Sequence, residues 1–355
     1  MTVKGMLVDS GMAPTNPYFS IDSGRIAFQG GSPTGVVIYD INSSSSISFA
    51  NPPQPACLFP SISGDKVVVA CSNGYQAPQT LYYCILPHSF PMQACGPWTA
   101  VLTGLPSIGQ HPYPAISGDL VAYSLNNAFG YYRFSTGTNI TIRTDYQPHY
   151  VTSNGEIIAF TGGSPDTLRY YDTSAPLGQR AIVNTTLSGE YPSISQSTIS
   201  FSDTTTTPER IRYYDILRNQ SSRAGIGPVG IPTPGYAGTS IWDNRIVFKI
   251  DEVSAGFDCN GDGTMSSTES CLGYWNIHSP SWVATTLAYS AAPAVNFGGF
   301  PVIYDKIIAF QGSNGHMQYV TVPLKGDVNL DGIVDSNDQG IVNSCQGQLL
   351  KGTTC

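Results

Sequence analysis

One hydrophobic and polar pattern recurs along the whole chain. Each copy opens on Pro or Tyr, turns at Ser-Gly-Asp or Asn-Gly, and then runs into an apolar strand ending on a bulky residue. The copies read FSIDSGRIAFQGG, PSISGDKVVVACS, PAISGDLVAYS, VTSNGEIIAFTGG, PSISQSTISFS, TSIWDNRIVFK and PVIYDKIIAFQGS. Their strand-ending residues are Phe28, Cys71, Tyr123, Phe160, Phe201, Phe248 and Phe310, spaced by 43, 52, 37, 41, 47 and 62 residues. A second apolar and aromatic strand follows each copy: VVIYDI, LYYCIL, YYRFS, LRYYDT, IRYYDI, LGYWNI and MQYVTV. In most copies a further strand comes next, such as SSISFA or WTAVLT.

Four short strands repeated at this period are the signature of a β-propeller blade. A lone four-stranded blade cannot bury both faces, whereas a closed ring of blades buries all of them. The pattern therefore predicts an all-β, seven-bladed propeller over residues 1–324. A stacked solenoid or tandem sandwiches are the alternatives, and the uneven spacing argues against a solenoid. The seventh copy lacks its outer strand. The segment Val3–Asp9 has strand character and can supply it, closing the ring, or can pair with a neighbouring molecule instead.

Composition agrees with short strands. The 355 residues include 37 Gly, 26 Pro and 21 Tyr, and almost every long window is broken by Pro, Gly or a Ser/Thr cluster. The formal net charge is −8, and the 16 basic residues form no cluster. That argues against nucleic acid and against anionic membrane surfaces as partners. No apolar run approaches the length of a membrane span.

Eight cysteines fall in close pairs: Cys57/Cys71, Cys84/Cys95, Cys259/Cys271 and Cys345/Cys355. No CxxC spacing occurs and histidines are not interleaved, so local disulfides are favoured over zinc. A hairpin around Gly64-Asp65 brings Cys57 beside Cys71. Cys71–Cys84 across neighbouring strands is an alternative to Cys84–Cys95. Disulfides imply an extracellular or cell-surface setting, as do four Asn-x-Ser/Thr sequons at Asn42, Asn139, Asn184 and Asn219. Met1–Val8 carries no signal-peptide core, so the expectation is a leader absent from this chain or another export route.

Two acidic loops carry the sharpest chemistry. The first runs from Asp258 to Glu269, inside an insertion over 251–271 between two strands of the sixth copy. The second runs from Asp327 to Asp338. Each places oxygen donors at positions one, three, five, nine and twelve, with Gly263 or Gly332 at six, which is EF-hand spacing. The expected calcium ligands are Asp258, Asn260, Asp262, Thr264 and Glu269 in one loop. In the other they are Asp327, Asn329, Asp331, Ile333 and Asp338, with position seven acting through its carbonyl. Two calcium ions are therefore expected.

The Ser-Gly-Asp turn, apolar strand and Tyr-Tyr-Asp strand resemble the TolB-type propeller repeat, also found in large surface proteins of archaea and bacteria. The resemblance spans roughly residues 15–322. It implies the fold and, because that repeat serves many roles, no particular function. GDVNLDGIVDSNDQGIVNSC resembles one dockerin repeat. A dockerin has two, so the resemblance implies a calcium-locked tail over 325–355 packed on the propeller or another chain, not cohesin binding.

Catalytic candidates are sparse. The chain has five Glu; Glu269 belongs to a calcium loop and Glu156 to a hairpin turn. Asp40, Asp172 and Asp215 recur at one repeat position, which points to a structural hydrogen bond in each blade. His111 and His149 precede inner strands near one channel mouth. No Gly-x-Ser-x-Gly elbow is present. The reading is a non-enzymatic structural or adhesive protein, self-associating through its chain ends into a filament or surface layer. The alternatives are a propeller that binds glycan or peptide, and a carbohydrate-active enzyme.

Overall fold

The computed structural model describes residues 7–322, apart from 31–34, 50–51, 53, 55, 75–76, 88–94, 106–112, 177, 206–208, 222–231, 234–237, 252–262, 265–269, 278–299 and 313. These residues form seven antiparallel sheets and no helix. The first described strand, β1 (Leu7–Asp9), stands apart from the blade that follows it. Blade one is β2 (Pro14–Asp22), β3 (Arg25–Gly30), β4 (Gly35–Asp40) and β5 (Ser45–Phe49). Blade two is β6 (Ala56–Ser63), β7 (Lys66–Ser72), β8 (Gln79–Ile85) and β9 (Thr99–Leu105). Blade three is β10 (Ala115–Ser117), β11 (Leu120–Leu125), β12 (Ala128–Arg133) and β13 (Thr138–Arg143). Blade four is β14 (Pro148–Ser153), β15 (Ile157–Gly162), β16 (Thr167–Asp172) and β17 (Ile182–Ser188).

Blade five is β18 (Glu190–Ser195), β19 (Thr198–Asp203) and β20 (Glu209–Asp215), whose outer edge is shared by β21 (Gln220–Ser221) and β22 (Pro232–Thr233). Blade six shows β23 (Thr239–Trp242), β24 (Arg245–Asp251) and β25 (Ser270–Asn276). Blade seven is β26 (Val302–Tyr304), β27 (Ile307–Gln311) and β28 (Met317–Thr321). Its fourth strand is β1, with Leu7 opposite Val320, Val8 opposite Tyr319 and Asp9 opposite Gln318. The N-terminal strand thus completes the last blade of its own ring. Beyond it, Asp9 accepts a hydrogen bond from the Gly11 N–H at 2.8 Å and lies 3.2 Å from His316 Nδ1.

Burial follows position in the blade. The second strand of each blade is covered on both faces by its neighbours and so reads as a continuous apolar run. Lys66–Ser72 is buried after its first residue, and Thr198–Asp203 throughout. The seven strand-ending residues sit here, each at 2% exposure or less. Outer strands alternate with solvent, as in Thr138–Arg143. Among the described residues the buried apolar side chains fall into several clusters. These fill the wedges between blades, such as Ile38 and Phe49 of blade one against Ile62 and Val69 of blade two.

The innermost strands are joined by serine hydroxyls. Ser20 Oγ accepts the Ile62 N–H at 3.0 Å, and Ser61 Oγ accepts the Ile116 N–H at 3.3 Å. Ser193 Oγ accepts the Ile241 N–H at 3.2 Å, and Ser240 Oγ accepts the Ile303 N–H at 3.1 Å. A second row repeats the device two residues on: Ser63 takes the Gly118 N–H at 2.9 Å and Ser195 the Asp243 N–H at 2.9 Å. The Ser-Ile-Ser of the repeat is therefore a pair of hydroxyls aimed at the next blade.

The recurring Asp residues are structural. Asp40 accepts the Ser43 N–H at 2.9 Å, Asp172 the Ser174 N–H at 2.8 Å and Asp215 the Arg218 N–H at 3.1 Å, each fixing the turn to the outer strand. Cys57 and Cys71 are opposite each other on β6 and β7 and are bonded, as are Cys84 and Cys95. Cys271 is also disulfide-bonded. Cys259, Cys345 and Cys355 lie outside the described residues.

Ser193→Ala removes the acceptor for the Ile241 N–H and is expected to cost about 1–2 kcal/mol. Ser46→Ala, on the exposed outer strand of blade one, should stay within about 0.5 kcal/mol. Urea unfolding of both variants checks this, and equal losses would contradict the hydroxyl joints.

Candidate binding site in the central channel

Every second side chain of an inner strand faces the ring axis, so the seven blades line the channel in layers. The outermost layer is aromatic: Tyr18, Phe59, Tyr113, Tyr150, Tyr191 and Phe300, with Gly238 at the blade-six position. Three of these residues carry left-handed backbones, Phe59 at φ 56°, Tyr150 at φ 50° and Tyr191 at φ 51°. Bulky residues rarely adopt that region, at a cost of order 1 kcal/mol each. The pairing register shifts at these points, between Leu58 and Ser61, between His149 and Thr152, and between Glu190 and Ser193. Such bulges redirect a side chain. Here they turn the rings toward the axis.

The rings meet in a closed circuit. Centroid separations are 4.9 Å for Tyr18–Phe59, 4.2 Å for Phe59–Tyr113, 5.9 Å for Tyr113–Tyr150 and 4.1 Å for Tyr150–Tyr191. Tyr191–Phe300 at 5.2 Å and Phe300–Tyr18 at 5.5 Å complete it. Tyr18 also reaches Tyr113, two blades away, at 5.4 Å. Blade six contributes no ring because Phe300 lies over it: a Cβ on Gly238 would sit 2.3 Å from Phe300 Cδ1. The Tyr113 hydroxyl donates to Tyr18 at 3.3 Å and the Tyr150 hydroxyl to Tyr191 at 3.2 Å. Burial pushes the Tyr150 phenol up to about 12, although its bond to Tyr191 works the other way, and burial also raises Tyr191. This aromatic iris bounds a cavity of about 240 Å³.

Beneath it lies a layer of small residues, Ser20, Ser61, Ala115, Thr152, Ser193, Ser240 and Val302. The channel then widens into a polar vestibule of about 1260 Å³ at the turns between first and second strands. Its walls carry Asp22, Asp119, Glu156, Asp243 and Asp305 together with Lys66, Arg133 and Arg245. The aromatic circuit separates this vestibule from the opposite face. That opposite face is where β24 ends at Asp251 and β25 begins at Ser270, paired with each other, so the segment with the first acidic loop joins blade six on the iris side.

Of the first loop, only Gly263 and Thr264 are described. Both are exposed, and Gly263 has φ 83°, the backbone a sharp turn at loop position six requires. Asp258, Asn260, Asp262 and Glu269 lie outside the described residues, as do Asp327, Asn329, Asp331, Ile333 and Asp338. Among the described residues no three His, Cys, Asp or Glu side chains converge on a metal position. All four sequon asparagines are exposed on the perimeter, Asn139 and Asn184 on outer strands and Asn42 and Asn219 in the turns before them. Asn219 Oδ1 accepts the Tyr214 hydroxyl at 2.5 Å. His149 lies in β14 next to Tyr150; His111 is outside the described residues.

The iris was not among the residues expected to matter. Its signal is present as Phe-Pro-Ser, Tyr-Pro-Ala, Tyr-Pro-Ser and Phe-Pro-Val at the start of the copies. The Tyr150 phenol holds its proton more tightly in the folded chain than the unfolded value near 10. The associated stability is thus complete below about pH 10 and is lost as pH rises through about 12. Ultraviolet titration should show a phenol ionising near pH 12 that Tyr150→Phe removes. If Tyr150→Phe instead removes a phenol titrating near 10, the buried circuit is contradicted.

No family model and no curated protein matches the chain. Solved structures do. A chain of the mitotic checkpoint complex is 11% identical, with 91% of this chain and 92% of that one covered, at TM-score 0.56. The β-propeller domain of the trilobed protease from Pyrococcus furiosus, described as having an open velcro topology, is 10% identical. That alignment covers 84% of this chain and 92% of the domain at TM-score 0.53. Putative TolB from Agrobacterium tumefaciens is 12% identical over 61% of this chain and 80% of its own, at TM-score 0.43. At these identities the first two likenesses establish the fold: this chain is an all-β, seven-bladed propeller.

Proposed function

We propose that this chain is a non-catalytic, extracellular adhesive module that holds a glycan or peptide partner in the vestibule of its propeller. One observation carries the reading. The channel narrows to the aromatic iris at one face and widens at the other into a concave polar chamber of about 1260 Å³, the form of a binding pocket. The acids at the strand-turn positions support a non-catalytic role, since Asp22 takes the Gly64 N–H of the next blade and Asp119 the Ser135 N–H. The local disulfides Cys57–Cys71 and Cys84–Cys95 suit an oxidising compartment. Exposed sequons suit the same setting. Because β1 is paired inside its own ring, self-assembly into filaments or layers would run through residues 325–355.

Peptide and glycan arrays probed with the intact protein test the vestibule. Glu156→Arg combined with Asp305→Arg reverses two exposed rim charges and should abolish the signal. A blank array, or a signal indifferent to the double variant, would remove this reading.

Calcium is proposed as the stabiliser of both acidic loops, and the turn backbone of Gly263 supports the first. Asp262→Ala and Asp331→Ala should each remove one ion by titration calorimetry. Absence of calcium uptake by the unaltered protein is the contrary result.

A further inference from the structure

We propose that the wall of the vestibule formed by blades six and seven is a subsite for a neutral saccharide ring, which rests on the vestibule being the binding face. A repeat fold carries its own control. Each blade needs the same thing from the channel-facing position before its first turn, and five blades meet that need with small or polar residues: Asp22, Ser63, Ser117, Asn154 and Ser195. Blades six and seven place Trp242 and Tyr304 there. Both rings also close joints, Trp242 against Tyr304 of the next blade and Tyr304 against Ser23 of blade one, but Asp22, Ser63, Asn154 and Ser195 close theirs with short side chains, and the additional ring area lines the chamber.

The two rings form a paired surface, with centroids 4.0 Å apart and planes inclined by 38°. Trp242 is half-buried, held along one side by the apolar cluster between blades six and seven, and it also lines the open chamber. Tyr304 is half-buried as well, and its hydroxyl lies 3.5 Å from Ser23 Oγ of blade one. Such amphipathic rings offer an apolar face with a polar tip. Hydrogen-bonding groups surround them. Asp243 lies one residue beyond Trp242, and Asp305 one residue beyond Tyr304, its carboxylate 56% exposed with Arg245 at 4.0 Å.

A pyranose matches that arrangement, presenting C–H bonds on its faces and hydroxyls around its edge. The flat face needs an apolar platform, and the edge needs acceptors and donors close to the same plane. Charge narrows the class. Five carboxylates against three cations line the chamber among the described residues, which disfavours uronic and other acidic sugars. The iris narrows the far end, so a chain of sugars enters from the wider turn side and ends in the chamber.

Calorimetry on the intact protein, with cellohexaose, chitohexaose, maltohexaose and hexagalacturonate as probes, tests the assignment. At least one neutral hexaose should bind with Kd below about 1 mM, and hexagalacturonate about tenfold more weakly or worse. Trp242→Ala should weaken the neutral probe about tenfold, while Trp242→Phe, which keeps an aromatic face, stays within about threefold. Asp305→Asn, which removes the charge and keeps a residue suited to the left-handed turn backbone at φ 52°, and Asp305→Ala should each weaken it about threefold. The assignment is overturned if no neutral hexaose binds. It is also overturned if folded Trp242→Ala binds like the unaltered protein, or if Asp305→Asn does so when Trp242→Ala fails to fold. Arrays showing vestibule-dependent peptide binding without saccharide would sink the saccharide and leave the binding face standing. Arrays blank for both would sink the two together.

Discussion

The hydrogen bond from a backbone N–H of one inner strand to a serine hydroxyl of the blade before it is what the molecule is organised around. Each inner strand is a sheet edge, and edge amides need partners. Ser20, Ser61, Ser193 and Ser240 supply them at the same height in four joints. A hydroxyl is short, so neighbouring blades must approach closely for the bond to form. That closeness keeps the inner ring tight, lets the apolar wedges between second strands exclude water, and leaves a channel of small residues at mid-height. The aromatic layer above and the wide vestibule below are the two ways the channel departs from that waist.

Much of this was written in the periodicity. Continuous apolar runs such as Val67–Ala70 mark strands covered on both faces, and their seven recurrences marked seven blades. The seventh copy lacked an outer strand, which left Val3–Asp9 to pair there or with a neighbouring molecule, and β1 pairs with β28 of its own ring. Cross-strand position brought Cys57 to Cys71. The Tyr-Asp turns repeated too often to be a unique catalyst, and Asp40, Asp172 and Asp215 indeed cap turns.

The channel was harder to read. Inward aim at Phe59, Tyr150 and Tyr191 depends on left-handed backbones within bulges, and neither periodicity nor residue type announces a bulge. In sequence, Tyr-Pro-Ser looks like the start of a strand. Only the convergence of distant blades shows that these starts share a point in space. Likewise Trp242 and Tyr304 are two aromatics in a chain rich in them, until the layers are aligned and five equivalent positions prove small or polar. The two acidic loops are the reverse case: their EF-hand spacing was explicit, and most of the residues expected to bind calcium fall outside the described residues.

Closure by β1 also sets an order of events in biogenesis. Leu7 pairs with Val320, so the ends of the ring meet across almost the entire repeat region. The entropic cost of bringing such distant segments together grows only slowly with chain length, but the contact cannot form until the last blade exists. During synthesis the first blade has no seventh blade to pack against, and Phe19, Phe28 and Tyr39 wait for Met317 and Tyr319. Until that moment the chain is an open arc with two unpaired apolar flanks. Completion of the seventh blade and burial of the first are therefore one step.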